Sequence, residues 1–316
     1  MGKYRWAGGH SGTYAFRYFP RHQTTVLLSK AAATLRCVRA PNTLTTLADL
    51  MAGMALALHA GHAWPSLWPV ILAGLGLVLA YANGMAMNDL LDEEFDRMAH
   101  SERPLPSGDL SRKFVRRLVA ITGLASISCL GAARPILFVS GALLLISIYL
   151  YDSTLKMRPV PASLAMGSCR ALSMATGLLL VGGIESILTP MILVCLSYMA
   201  LITALTQLSQ SEDEKDPRPN AAAVCILVFA YCVPAILAQG QAIEVVAALA
   251  IAIHVLAPSL RRPVNIGLSI KRGVFTTVLW NSLICLAVGA RELAMGSAGL
   301  YLVIPLLARK LGQKGS

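Results

Sequence analysis

Apolar residues in this chain come in long unbroken runs, not in the alternating or three-to-four-residue patterns of half-buried strands and helices. Runs of roughly twenty, the length needed to cross a ~30 Å hydrocarbon layer, cover 42–60, 67–88, 114–132, 135–151, 162–183, 189–209, 221–238 and 241–258, with two shorter ones at 274–290 and 295–309. Lipid offers no hydrogen-bond partner to the backbone, so such runs are expected to be helical, and their lack of alternation argues against a membrane β-barrel. The pattern predicts an all-α, polytopic transmembrane helical bundle of nine or ten spans. It forms one membrane-embedded domain over 41–316, preceded by a basic and aromatic cytoplasmic arm over 1–40.

Composition agrees. Of 316 residues 56% are hydrophobic and 14% charged, a depletion of charge that a soluble domain of this size would not show. The net charge of +11 would suit a nucleic-acid binder, but its placement excludes that reading. Arg17, Arg21, Lys30, Arg36 and Arg39 precede the first run. Arg97, Arg103, Arg112, Lys113, Arg116 and Arg117 follow the second, and Lys156 and Arg158 the fourth. Lys215 and Arg218, then Arg261, Arg262, Lys271 and Arg272, continue the series. The intervening loops carry little more than Arg134, Glu185 and the Arg291-Glu292 pair. By the positive-inside rule the amino terminus and the even-numbered loops face the cytoplasm. The scattered cysteines read as small packing residues, since none forms a Cys-x-x-Cys pair.

Candidate chemistry concentrates where the second run ends, at Asn88-Asp89-Leu90-Leu91-Asp92-Glu93-Glu94-Phe95-Asp96. On a continuous helix, the spacing puts Asp89, Asp92 and Asp96 on one face. Three like charges at a helix carboxyl end, where the macrodipole is already negative, call for a cation. Hard oxygen ligands beside a basic loop, with no His or Cys, point to Mg²⁺ that also binds phosphate oxygens. Directly downstream, Glu102-Arg103-Pro104-Leu105-Pro106-Ser107-Gly108 supplies a cation on a proline-constrained loop suited to folding back over an anion. Two further features lie inside apolar runs. Arg170 is costly in a span unless it faces a cavity or a carboxylate. Asp49 is too deep in its run for helix capping, and pairing with Arg170 or contact with a substrate are both open. Asn42 has two roles open, a helix cap or a cavity wall, and Asn83 is expected to face the cavity.

A spanning chain with Asn-Asp-x-x-Asp-x-x-x-Asp followed by Arg-Pro-Leu-Pro-Ser-Gly resembles the UbiA superfamily of intramembrane prenyltransferases over nearly its whole length. Met166-Gly167-Ser168-Cys169-Arg170 with Gly177 is similar to its EboC-like branch, which would imply a specialised-metabolite pathway; Ser173 stands where that branch has asparagine. The resemblance implies helices around a central cavity open to lipid. It also implies a second acidic motif facing the first, which would be Glu212-x-x-x-Asp216 here, with Ser209 where an upstream aspartate is usual and Asp213 and Glu214 as alternative ligands. Tyr151-Asp152-Ser153-Thr154-Leu155-Lys156 is similar to the family's Tyr-Ser-x-x-x-Lys element, so Tyr151 and Lys156 would approach the diphosphate; positive-inside anchoring is the other reading of Lys156. Asn42, Asp49, Asn83, Asn88 and Arg170 would contact substrate. Asp89, Asp92, Asp96, Glu212 and Asp216 would hold Mg²⁺.

The expected activity is Mg²⁺-dependent transfer of an isoprenyl group from a prenyl diphosphate to a small or aromatic acceptor within the membrane. Two alternatives use the same scaffold: a terpene cyclase with no acceptor, and a non-catalytic scaffold or transporter. No Rossmann or P-loop glycine pattern is present. Surrounding lipids are the other expected partner.

Overall fold

The computed structural model describes residues 21–182, 196–202, 204, 221–237, 242–260 and 265–310. Its elements are α1 (Arg21–Cys37), α2 (Ala40–Thr43), α3 (Thr45–His59), α4 (Leu67–Leu91), α5 (Glu93–Ala99), α6 (Arg112–Ala133), α7 (Pro135–Leu150), α8 (Pro159–Val181), α9 (Ala221–Leu237), α10 (Ala242–Leu260), α11 (Ile266–Ala287) and α12 (Arg291–Lys310). A π-helical turn, Tyr151–Leu155, extends α7. No strand occurs among the described residues.

Local chemistry starts several of these helices. The Ser111 hydroxyl accepts from the Phe114 N–H at 3.3 Å and opens α6. Asn265 does the same for α11, accepting from Leu268 N at 2.8 Å. Pro135 and Pro159 stand at the first positions of α7 and α8, where their missing N–H costs nothing. At the far end of α8 the Arg134 guanidinium donates to Leu179 O at 2.6 Å and Gly182 O at 3.0 Å, satisfying carbonyls that the last turn leaves open.

Five described helices are long and apolar enough to cross a membrane: α4, α6, α7 with its π-helical turn, α8 and α12. Shorter apolar stretches in α10 and α11 add to the bundle. The expected first span, 42–60, is divided at Leu44 into α2 and α3. The 15 residues of α3 give about 22 Å of helix. Of the run expected at 189–209, only 196–202 and 204 are described, and they are helical. Large apolar side chains point outward along the spans, among them Ile121, Leu124, Phe138 and Leu302, as a lipid-facing surface requires. Exposed Trp64 and Trp68 flank the α3–α4 connection, at the end opposite the basic loops, as an interfacial aromatic belt would.

Small residues set how closely the helices pack. Gly53 of α3 and Gly177 of α8 interlock: a Cβ on Gly53 would strike Met174 O, and one on Gly177 would strike Leu50 O. Gly76 of α4 lets Leu130 of α6 approach to within 2.7 Å of where a Cβ would stand, and Ser126 donates to Gly76 O at 2.8 Å. One apolar core joins α3, α8, α9, α10 and α11 around the Tyr198–Trp280 stack, with ring centroids 4.7 Å apart. A second joins α3, α4, α6, α7 and α8. In the described part of the arm, residues 21–37 are helical, and Ala33, Cys37 and Val38 pack with Ala82, Ala86, Leu105, Leu110 and Val115. The amphipathic end of α1 thus covers the end of α4 where the acidic run begins.

Candidate functional site

The acidic run does not form one helix. Helix α4 stops at Leu91, Asp92 takes φ −91° and ψ 5°, and α5 begins at Glu93. The break resolves the electrostatic conflict expected of a continuous helix: Glu93, Glu94 and Asp96 become the first turn of a new helix, where the macrodipole favours negative charge. The common face assigned to Asp89, Asp92 and Asp96 is therefore corrected to a bend with Asp92 at its corner. Asp89 and Asp96 are almost fully buried, while the side chain of Asp92 is 23% exposed.

Cations meet each of the three. Arg103 Nη1 donates to both oxygens of Asp96 at 2.7 Å and lies 4.0 Å from Asp89 Oδ1. Its loop folds back by the bonds Ser107 N to Arg103 O and Leu110 N to Pro104 O, with Leu105 and Leu110 as buried anchors. Lys156 forms an ion pair with Asp92. Glu93, also buried, is held by Arg97 at 2.7 Å and Arg112 at 3.1 Å and ties α5 to the start of α6. The Cys37 thiol sits against Asp89; burial first, then that carboxylate, pushes it up to about 12, so it remains a neutral donor.

The π-helical turn positions the next group. Residues five apart on an α-helix point about 140° apart, but here Lys156 N closes on Tyr151 O at 3.0 Å, and the wider turn lets Tyr151, Asp152 and Lys156 address one region. Asp152 is buried, and the Asn88 amide, turned so that its nitrogen and not its oxygen faces the two carboxylates, bridges it (3.1 Å) to Asp92 Oδ2 (3.2 Å). Asp152 escaped the sequence reading, which took only the flanking tyrosine and lysine; a carboxylate at the end of an apolar run was the available signal. Arg39 escaped it too, counted as an orientation charge. It joins α1 to α2 at φ 48° and ψ 51°, a left-handed conformation that costs a residue with a side chain about 1–3 kcal/mol. Its charge acts on Asp89, Tyr151 and Asp152.

Of these groups, Arg39, Asn88, Tyr151 and Asp152 line a cavity of about 410 Å³, and Asp92 with its partner Lys156 stands beside Asn88. Arg39, Asn42, Asn88, Tyr151, Asp152 and Arg170 contribute its polar lining, and Leu77, Leu144, Ile148, Met166, Ile202 and Val274 its apolar walls. Asn42 lies within α2, not at a helix start, so the capping role is excluded and the cavity wall remains. Arg170 donates from Nε to Tyr198 OH (2.9 Å), from Nη1 to Thr45 Oγ1 (2.9 Å) and from Nη2 to Asp49 Oδ1 (3.1 Å). Tyr198 OH and Asn281 Nδ2 donate to the same Asp49 oxygen at 2.9 and 2.7 Å. Asp49 is wholly buried and does not line the cavity; its partner Arg170 does. Asn83 corrects the expectation placed on it: its amide donates to Val119 O at 2.6 Å and Thr122 Oγ1 at 3.3 Å, fastening α4 to α6 away from the cavity.

The donor chemistry suits a hard divalent cation. Asp89 Oδ1 is buried and accepts no hydrogen bond, an acceptor whose desolvation is uncompensated. Among the described residues, however, no three acidic, histidine or cysteine side chains converge as a metal cage; Arg103 and Lys156 stand against the carboxylates instead. The expected ligands Glu212 and Asp216 lie outside the described residues.

Comparison with known proteins adds lineage to this geometry. The profile of the UbiA prenyltransferase family matches residues 49–308. The chain is 33% identical over 149 residues to the digeranylgeranylglyceryl phosphate synthase of Ignicoccus hospitalis, an alignment covering 47% of each chain. It is 37% identical over 139 residues to the protoheme IX farnesyltransferase of Geobacter sulfurreducens, covering 42% of this chain and 48% of that one. The alignments thus span about half the length of these curated relatives. Among solved structures, a UbiA homolog from Archaeoglobus fulgidus bound to GPP and Mg²⁺ superimposes with a TM-score of 0.60 at 15% identity, covering 81% of this chain and 99% of that one. The apo UbiA homolog from Aeropyrum pernix gives 0.59 at 18%, covering 78% and 96%. At these identities the likeness shows a shared fold.

Proposed function

Since the chain belongs to the UbiA prenyltransferase family, we propose that it transfers an isoprenyl group from a prenyl diphosphate to an acceptor inside the membrane. The observation that carries the reading is the junction of two environments: Arg39, Asn88, Tyr151 and Asp152 line a cavity with apolar walls between helices, and Asn88 joins that lining to the neighbouring ion pairs of Asp92 with Lys156 and Asp96 with Arg103. The prenyl tail belongs among the walls and the diphosphate at the charged groups. The one-sided basic loops support placing those groups at the cytoplasmic face.

The residues divide the work. Asp89, Asp92 and Asp96, with Glu212 and Asp216, would hold Mg²⁺. When bound, the ion supplies Lewis-acid stabilisation of the diphosphate as it leaves. Lys156, Arg103 and Arg39 place positive charge where the leaving oxygen becomes negative, which in a water-poor site is worth about 3–4 kcal/mol for each well-placed donor. Asn88 orients Asp92 and Asp152. The apolar walls exclude water from the allylic carbon during transfer. Elsewhere in the lining, Arg170 and Asn42 offer polar contacts to an acceptor. Those polar groups favour transfer over acceptor-free cyclisation, because a cyclising hydrocarbon has no use for them. The Met166–Arg170 stretch supports the EboC-like branch, although Gly177 is accounted for by its contact with α3.

Asp92→Ala tests the assignment. Membranes carrying the wild type, given labelled prenyl diphosphates of graded length and a host metabolite extract, should form a new prenylated product that mass analysis detects. The variant should insert and fold, with its melting temperature lowered only by the unpaired Lys156, yet yield none. Retained Mg²⁺-dependent turnover in Asp92→Ala would sink the proposal.

A further inference from the structure

Next to the polar lining of the cavity, and joined to it through Asn88, opposite charges are held in mutual pairs. Lys156 is engaged with Asp92, and Arg103 grips both oxygens of Asp96 at 2.7 Å while standing 4.0 Å from Asp89. These are the cations to which the proposed function assigns a diphosphate and the carboxylates to which it assigns a metal. One set of groups does not serve both pairings at once. Asp92 has to leave Lys156 to coordinate a cation, and Lys156 has to leave Asp92 to meet a phosphate oxygen.

We infer that Lys156 and Arg103 are exchangeable counter-ions, so that the site takes a divalent cation and a diphosphate together and resists either one alone. The inference rests on the prenyl diphosphate reading of this site. A divalent cation arriving alone meets carboxylates that are already neutralised. It has to push off Lys156 and Arg103, whose side chains are only 20% and 26% exposed, and strand them. A diphosphate arriving alone draws both cations away and strands Asp96, which is 1% exposed, and Asp89, which is 2% exposed. Removing one partner from a buried pair leaves an uncompensated charge. When both ligands arrive, every released group finds an opposite charge and neither penalty remains, which is positive coupling between two ligands. The amide of Asn88 holds Asp92 and Asp152 by neutral donors, so the carboxylates keep their places when Lys156 departs.

The test uses the full-length protein in lipid nanodiscs, titrated calorimetrically with Mg²⁺ alone, with inorganic diphosphate alone, and with diphosphate at saturating Mg²⁺. Melting is recorded under the same conditions. Coupling in the wild type should amount to about 5- to 150-fold in affinity. Complexation of Mg²⁺ by diphosphate in solution is common to every variant, so comparison of variants isolates the protein's share. In Lys156→Met, Asp92 is released: Mg²⁺ alone should bind more tightly than to the wild type, raise the melting temperature further, and leave weaker coupling. Lys156→Arg should restore the wild-type pattern. Arg103→Gln repeats the reading at Asp96 should Lys156→Met not survive extraction. Unchanged Mg²⁺ affinity in both variants, with diphosphate still bound, overturns the exchange and leaves the prenyl diphosphate reading standing. Failure of the wild type to bind diphosphate at any Mg²⁺ concentration sinks both.

Discussion

Asp49 receives three hydrogen bonds on one oxygen, from Arg170, Tyr198 and Asn281, and none on the other. Such a residue holds helices in register more than it does chemistry. Asp49→Ala leaves Arg170 charged and unpaired in the interior, at a cost of about 3–5 kcal/mol. The double variant Asp49→Leu/Arg170→Met removes both charges and should recover most of that loss. Melting of the purified proteins checks both, and additive losses would show that the pair is not coupled. At this scale the sequence was partly legible. Charges stranded in apolar runs announce themselves, which is how Asp49 and Arg170 stood out, and the spacing of Asp89, Asp92 and Asp96 did the same. Asn83 misled because a polar residue in a span faces either a cavity or a neighbouring helix's backbone. Nothing in one sequence distinguishes the Val119 carbonyl from a cavity. Asp152 and Arg39 were hidden by having an adequate ordinary explanation, a loop and an orientation charge.

Elements were legible in extent but not in their irregularities. The run from Leu67 reads as one helix through the acidic cluster, yet the chain bends at Asp92, where Lys156, 64 residues away, claims the corner carboxylate and Arg103, 7 residues from its partner, claims Asp96 just beyond it. The π-helical turn at Tyr151–Leu155 is likewise a product of packing, with no propensity signal of its own. It gives an element-level prediction. Inserting an alanine after Ser153, whose side chain is exposed, should add a residue to the turn and swing Lys156 about 100° away from Asp92. The variant should still insert in membranes but lose diphosphate binding in the presence of Mg²⁺. Full retention of binding would mean that the turn does not position Lys156.

At the scale of the molecule, hydropathy alone identified a polytopic helical bundle, because apolar runs of spanning length admit no other solution in lipid. What it could not supply was the division of the first run into α2 and α3 at Leu44, a residue whose own backbone stays right-handed at φ −66° and ψ −18°. Orientation is open to direct measurement. In a cysteine-depleted background of spheroplasts, a cysteine at Gly61, in the turn after α3, should react with a membrane-impermeant maleimide from outside. One at Arg158 should react only after permeabilisation, and the reverse pattern would place the charged groups of the site on the outer face.

The interlocked glycines at positions 53 and 177 bear on how a bulky tail gets in. Where two backbones touch, neither helix can slide or splay without losing the contact, so α3 and α8 form a keel. Any gate that would admit a hydrocarbon chain from the bilayer therefore falls to the other described walls of the cavity: α2, α4, α7, α11 and the segment that carries Ile202.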